Sequence, residues 1–340
     1  MALELEMPPS GQDSPAQRTS GERPAPSGGG RELIIGLINN MPDSALEGTE
    51  AQFGALLAGA AGGRRVRLRL SSIPEVPRGA PAAERIAARY WPLEDLLAQP
   101  LDALIVTGTE PKAAALSEEP YWERFVEVLE FADRNLVSSI WSCLAAHGAV
   151  LHLDQIQRRR LGQKRSGVYA HAITPIHPLM AGLPGSLSIP HSRWNELDPT
   201  ALEAAGYEIL SASPDNGADT FIKRRGSLLV FFQGHPEYED QTLLKEFRRD
   251  VGRYLSGEHT AYPRVPAGYF GAAAQAELDD YERRALADRG SVSLQEFPYA
   301  TAAAAVENRW TRPAIEIYRN WLDWVANKKQ VPAAKAQGQV

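Results

Sequence analysis

The chain has 340 residues, 44% of them hydrophobic, with a formal net charge of −6 and one cysteine. Length and apolar content allow a sizeable core, while the acidic balance argues against a nucleic-acid or membrane-surface binder, which would carry basic patches. No apolar run is long enough to cross a bilayer. The N-terminus lacks a charged-then-apolar export signal, and a lone cysteine excludes an internal disulfide and any multi-cysteine metal site, so the expected location is the cytoplasm.

Residues 1–30 are rich in Pro, Gly, Ser and charge and read as a disordered tail; 328–340 reads as a second one. The stretch between them, 31–327, reads as a single globular domain without repeats. Glu32 to Ile38 is a short β-branched apolar run, which suits a buried parallel strand. A helix follows from Glu47 to Ala60, then a half-buried strand from Val66 to Ile73 and a short helix from Leu93 to Ala98. Leu101 to Val106 reads as another buried strand. Tyr121 to Arg134 spaces Trp122, Phe125, Val126 and Leu129 as a helix would. Leu136 to Trp141 is strand-like and runs into Cys143. Alternating strands and helices imply an α/β fold with a doubly wound, mostly parallel, flavodoxin-like sheet.

The second half changes character. Ser166 to Pro199 has no clear helix and reads as an added antiparallel or irregular segment. Tyr207 to Ser211, Thr220 to Lys223 and Ser227 to Phe232 read as strands. C-terminal helices are expected over Tyr238 to Tyr254, Ala272 to Ala287 and Pro313 to Ala326, the last with Tyr318, Trp321 and Trp324 on one face.

Cys143 sits at a predicted strand-to-helix junction, beyond the carboxyl end of a strand, where open parallel sheets bind ligands. A helix N-terminus there favours the thiolate. A free cysteine is more often a buried structural residue, and both readings stay open at this point. His235-Pro236-Glu237 follows the Ser227–Phe232 strand; in an extended segment His235 and Glu237 share a side. Cys143, His235 and Glu237 would then supply nucleophile, base and orienting group, although His-Pro-Glu alone also fits an ordinary loop. Gly108 and Thr109 follow the Leu101–Val106 strand; their backbone N–H groups with that of Leu144 could form an oxyanion hole, or an ordinary turn. Cys143 and His147 lie four apart on a helix, which better fits burial of His147 than a metal site. The basic run Arg158-Arg159-Arg160 reads as a solvated loop rather than a phosphate site. No metal and no cofactor is expected.

These residues, in this order, resemble the homoserine O-succinyltransferase family of methionine biosynthesis. The blocks that carry the likeness are Asn40-Met41-Pro42, Thr49-Glu50, Gln52-Phe53, Leu104-Ile105-Val106-Thr107-Gly108, Tyr121-Trp122, Lys164 with Ser166-Gly167-Val168-Tyr169, Pro190-His191-Ser192-Arg193, Gly234-His235-Pro236-Glu237-Tyr238, Gln241-Thr242-Leu243, Phe247-Arg248-Arg249-Asp250 and Asn320-Trp321-Leu322. The resemblance implies a class I glutamine amidotransferase-like fold and a homodimer. It implies a ping-pong reaction in which Cys143 carries an acyl thioester, His235 is the base and Glu237 its orienting partner. Lys164, Ser192 and Arg249 match substrate-binding positions, and the substrates implied are L-homoserine and succinyl-CoA or acetyl-CoA. Lys112 matches a position tied to acyl choice, where Gly accompanies succinyl and Glu accompanies acetyl use; a lysine attracts a succinyl carboxylate, which favours succinyl-CoA. The chain departs from the family at Asp43-Ser44, where many members carry lysines, at Leu144, where a tryptophan is common, and at His147, which replaces a glutamine. Two other functions remain in view: a glutamine amidotransferase-like hydrolase, which the same triad supports, and a non-catalytic metabolite-binding relative.

Overall fold

The computed structural model describes residues 3–9, 32–174 and 176–328. The chain begins with β1 (Leu3–Leu5), β2 (Leu33–Ile38), α1 (Asp43–Ala60), β3 (Val66–Ser71), α2 (Ala80–Arg89), α3 (Leu93–Ala98), β4 (Ala103–Thr107), α4 (Trp122–Asn135), β5 (Ser138–Ser142) and α5 (Leu144–Asp154). It continues with β6 (Arg159–Ile173), β7 (Ser186–Glu196), α6 (Pro199–Ala204), β8 (Glu208–Ile209), β9 (Ser211–Ser213), β10 (Gly217–Ala218), β11 (Thr220–Arg224) and β12 (Leu228–Phe232). It ends with α7 (Thr242–Leu255), α8 (Ala272–Ala287), α9 (Tyr299–Ala304) and α10 (Thr311–Lys328). The sequence reads as one domain over 31–327. Packing divides the chain into two compact units: the segment up to Ala149 with Lys223–Val230 and the segment from Ile317, and Val150–Ile222 with Phe231–Glu316.

In the first unit the strands lie in the order β1-β3-β2-β4-β5-β12. The pairs β1–β3, β2–β3, β2–β4 and β4–β5 are parallel. The runs LIIGLI, ALIVT and SSIWS are buried at every position, as a sheet covered on both faces requires. Helix α4 buries Phe125, Val128, Leu129 and Ala132, one stripe of its surface. On α10 Tyr318 and Trp321 are buried, but Trp324 departs from the expected common face. It lies half-exposed beneath the Arg224 guanidinium, 4.6 Å from its ring. The Trp321 indole donates to Ser138 Oγ at 2.9 Å, and Ser138 Oγ donates to the Leu228 carbonyl at 2.7 Å.

Two features of this unit were not expected. Leu3–Leu5 falls within the segment read as a disordered tail, yet β1 pairs with β3 from Leu3↔Val66 to Leu5↔Leu68. Glu6 anchors it, accepting from Arg69 at 2.9 Å and, through its carbonyl, from the Trp91 indole at 2.9 Å. Three residues are too short for a periodic signal; the pairing partner supplies the strand. Apart from residues 3–9 and Lys328, both tails lie outside the described residues. Helix α2 also went unpredicted, since only Ala82 in it is buried.

The second unit holds a four-stranded sheet in the order β10-β9-β6-β7. The segment expected to be antiparallel or irregular is mostly one long antiparallel pair, from Arg159↔Glu196 to Ala172↔Ser186, with a register shift between Arg160 and Arg165. Arg159 and Arg160 therefore begin a strand rather than a loop, and Arg159 and Arg165 both close on Glu196. Strand β8 pairs antiparallel with β11. The α-helical core packs Leu244, Phe247 and Val251 of α7 with Leu278, Tyr281 and Ala285 of α8 and with Trp310, each large side chain worth about 1.5–3 kcal/mol on burial.

Candidate active site

Strands β4 and β5 run parallel and in register, with Thr107 opposite Ser142. Gly108 and Cys143 therefore leave the sheet side by side. Cys143 has φ +53, a left-handed conformation that a non-glycine residue adopts only where its surroundings impose it. The chain turns there from β5 into α5, whose first turn closes on Cys143 through Ala146 N–H donating to the Cys143 carbonyl at 3.0 Å. Cys143 is half-exposed, at the N-terminus of a helix. The turn after β4 lies flush against this helix start. A Cβ on Gly108 would stand 2.4 Å from Leu144 Cβ and 3.0 Å from Ala145 N, so only glycine fits. Asn40 ties the strand ends together: its N–H donates to Thr107 Oγ1 at 2.9 Å, its amide to the Thr107 carbonyl at 3.0 Å, and its Oδ1 accepts from Ile73 N–H at 3.0 Å.

A pocket of about 300 Å³, its open mouth included, adjoins this turn. Thr107, Gly108, Thr109, Leu144, Ala145 and Gly148 form one side, and Leu116, Tyr121, Trp122 and Phe125 another. Lys112 is exposed, in the segment joining Thr109 to Leu116. His147 is buried on α5. Among the described residues no three His, Cys, Asp or Glu side chains are grouped as a metal ion would need.

In the second unit Gln233 and Gly234 follow β12. A Cβ on Gly234 would lie 2.6 Å from Ile189 Cγ2 and 2.8 Å from the Pro190 carbonyl, so the loop seats on β7 only as glycine. Gly234 N–H donates to Asp219 Oδ1 at 2.7 Å and His235 N–H to the Pro190 carbonyl at 2.8 Å. His235 and Glu237 are both buried, and His235 Nδ1 lies 2.9 Å from Glu237 Oε1. The segment is turned rather than extended, with Tyr238 N–H donating to the His235 carbonyl at 3.2 Å. The imidazole and carboxylate still meet, and Tyr238 stacks on the imidazole with ring centres 4.3 Å apart.

Lys164, Ser192 and Arg249 come together in the same unit, with three residues the sequence reading had given no role. Lys164 Nζ donates to Asp250 Oδ2 at 2.7 Å and lies 3.7 Å from Glu246 Oε2. Ser192 Oγ donates to that same Glu246 oxygen, and Tyr238 Oη donates to Glu246 Oε1 at 2.7 Å. Arg249 donates to Asp250 Oδ1 through Nε and Nη2, at 3.0 and 2.9 Å. Burial acts to raise the Asp250 carboxyl, but Lys164 and Arg249 beside it outweigh burial and hold it below its ordinary value. Burial likewise acts to lower Arg249, and Asp250 and Glu246 outweigh it and raise it. Behind Ser192, His191 is fully buried and pushed well below its ordinary value by that burial, then by Arg193, so it stays neutral. Glu246 and Asp250 sit four apart on α7 and so share its face. That spacing groups the two carboxylates but points to neither Lys164 nor Ser192 as a partner.

The homoserine O-succinyltransferase family model matches residues 18–331. A homoserine O-succinyltransferase of Methylorubrum extorquens is 44% identical over 304 residues, covering 89% of this chain and 90% of that protein. Those of Rhodopseudomonas palustris and Bradyrhizobium japonicum are 43% and 42% identical, covering 90% and 89% of this chain and 92% and 95% of their own lengths. Among solved structures, a glutamine amido transferase from Methylobacillus flagellatus aligns over 87% of this chain and 95% of its own, at 14% identity and a TM-score of 0.48, a likeness too slight to carry an argument.

Proposed function

The chain belongs to the homoserine O-succinyltransferase family, and from that premise we propose that it transfers the succinyl group of succinyl-CoA to the hydroxyl of L-homoserine through a thioester on Cys143. The observation that carries this reading is the left-handed turn at Cys143, held in register beside Gly108. Backbone strain of this kind collects where a residue must be presented rather than packed.

In the first half-reaction the Cys143 thiol gives its proton to His235 Nε2 and the sulfur attacks the thioester carbonyl. The Nδ1–H of His235 is kept on Glu237, which leaves Nε2 as the acceptor. Backbone N–H groups of Gly108, Thr109 and Leu144 receive the oxyanion. The bond from carbon to the coenzyme A sulfur then breaks, and coenzyme A departs with the proton from His235. In the second half the homoserine hydroxyl loses its proton to His235 and attacks the enzyme thioester; the bond to Cys143 breaks and the thiol returns.

The cluster around Lys164 suits the acceptor. It sets two cations, Lys164 and Arg249, among two carboxylates, Glu246 and Asp250. Such an alternation fits a zwitterion better than an anion: the α-carboxylate goes to Arg249 or Lys164, the α-ammonium to Glu246, and Ser192 sits between. Lys112 favours a donor with a terminal carboxylate.

Isotope exchange tests the two-step course. Labelled coenzyme A incubated with succinyl-CoA and enzyme, without homoserine, is expected to enter the succinyl-CoA pool. Exchange that appears only when homoserine is present contradicts a free acyl-enzyme. Faster turnover with acetyl-CoA than with succinyl-CoA contradicts the donor.

A further inference from the structure

We propose that Glu119 sets the acyl selectivity of this enzyme by clamping the segment 110–115 that rims a pocket for the acyl chain. The inference rests on the reading of Cys143 as the acyl carrier. An acyl carbonyl on Cys143 with its oxygen at the N–H groups of Gly108, Thr109 and Leu144 starts its chain beside residues that line the pocket. The far side is aromatic and fixed. Trp122 stacks on Phe125 with ring centres 5.9 Å apart, and Phe125 meets Trp141 edge-on at 5.4 Å. These walls accept methylene groups. They offer a carboxylate no charged partner, and burying one there would be costly. The terminal carboxylate of a short diacid must therefore stay at the rim.

Thr109 and Leu116 both line the pocket, and the stretch that joins them is irregular. Glu119 holds it. Its side chain is buried, with 5% of the residue exposed. Glu119 Oε1 accepts the backbone N–H of Lys112 at 2.5 Å and of Ala113 at 2.7 Å. Two adjacent donors on one carboxylate oxygen fix the peptide planes there, and with them the root of the Lys112 side chain. Glu119 touches neither the sulfur nor the acyl group in this scheme. It is a positioning residue, acting through Lys112 and the rim.

The test is the ratio of kcat/KM for succinyl-CoA to that for acetyl-CoA, measured in the full chain. Glu119→Ala is expected to lower that ratio about tenfold or more, with acetyl transfer much less affected. Glu119→Gln keeps an oxygen acceptor on an arm of the same length and is expected to hold the ratio within about threefold of wild type. If the alanine variant does not fold, Glu119→Asp, whose shorter arm cannot reach both N–H groups, is read in its place with the same expectation. An equal fall with both donors, or an unchanged ratio, overturns the inference and leaves the role of Cys143 standing. Failure of the wild-type chain to form an acyl adduct at Cys143 from either donor removes the reading beneath it and the inference with it.

Discussion

At Cys143 the backbone does the positioning, whereas around Lys164 the side chains do it. The place of Cys143 is set by the parallel register of β4 and β5, its own φ of +53, a glycine that admits Leu144, and an asparagine that ties three strand ends. Its adjoining pocket is walled by Leu116, Trp122 and Phe125. The cluster around Lys164 has no comparable strain. Lys164, Ser192, Glu246, Arg249 and Asp250 hold one another through charge-assisted hydrogen bonds. The difference teaches where each half tolerates change. On the proposed function, a group that must meet an electrophile along one line is held by the main chain, while a group that must admit and release a zwitterion is held by contacts a ligand can replace.

Four substitutions would break or sharpen that contrast. Cys143→Ala is expected to lower turnover by at least about a thousandfold, because the covalent route is lost, while homoserine binding measured by calorimetry stays near wild type. Retained turnover would place the nucleophile elsewhere. Glu237→Gln, which leaves the imidazole in place without a charged partner, is expected to lower kcat about a hundredfold with little change in the KM for homoserine. A larger change in KM than in kcat would move Glu237 out of the base's support. Glu246→Gln is expected to raise the homoserine KM about tenfold, one charge-assisted contact being weakened, with thioester formation at Cys143 unaffected.

The smallest effect is on stability. The Asp250 carboxyl is depressed below its ordinary value of 3.8 in the folded chain. The stability it contributes is therefore fully present above pH 3.8 and is lost as pH falls from there through the depressed folded value. Asp250→Asn is expected to be about 1 kcal/mol less stable in urea at pH 7, allowing for solvent screening, and the gap should close below pH 3.8. A gap that persists in acid would mean that shape, not charge, holds the position.

The parallel half was readable because two of its strands, Leu33 to Ile38 and Ala103 to Val106, are apolar runs that announce themselves, and Cys143 directly follows β5, a third buried strand. Helix α2 did not, since burial of Ala82 alone leaves no stripe. Strand β6 is mostly exposed or half-buried, so its state comes from β7 across the ladder rather than from any pattern along itself. Trp324 was misplaced for a related reason. Helical spacing brings aromatic residues near one face, but it says nothing of Arg224, which gives that ring a reason to stay outside. At the site, His235 and Glu237 were paired on an extended geometry that the segment does not adopt, and the turn brings them together instead. Lys164, Ser192 and Arg249 were suggested by resemblance alone. Their partners, Asp250 to Lys164 and Glu246 to Ser192, lie 86 and 54 residues away, and a single chain carries no signal for such pairings.

Intact-mass spectrometry with peptide mapping, on the full chain mixed with succinyl-CoA and no homoserine, is the most direct measurement. The mass is expected to rise by one succinyl group, located on the Cys143 peptide, and to return to its starting value when homoserine is added. An unmodified chain, or an adduct that homoserine does not discharge, would contradict a thioester at Cys143 as the intermediate.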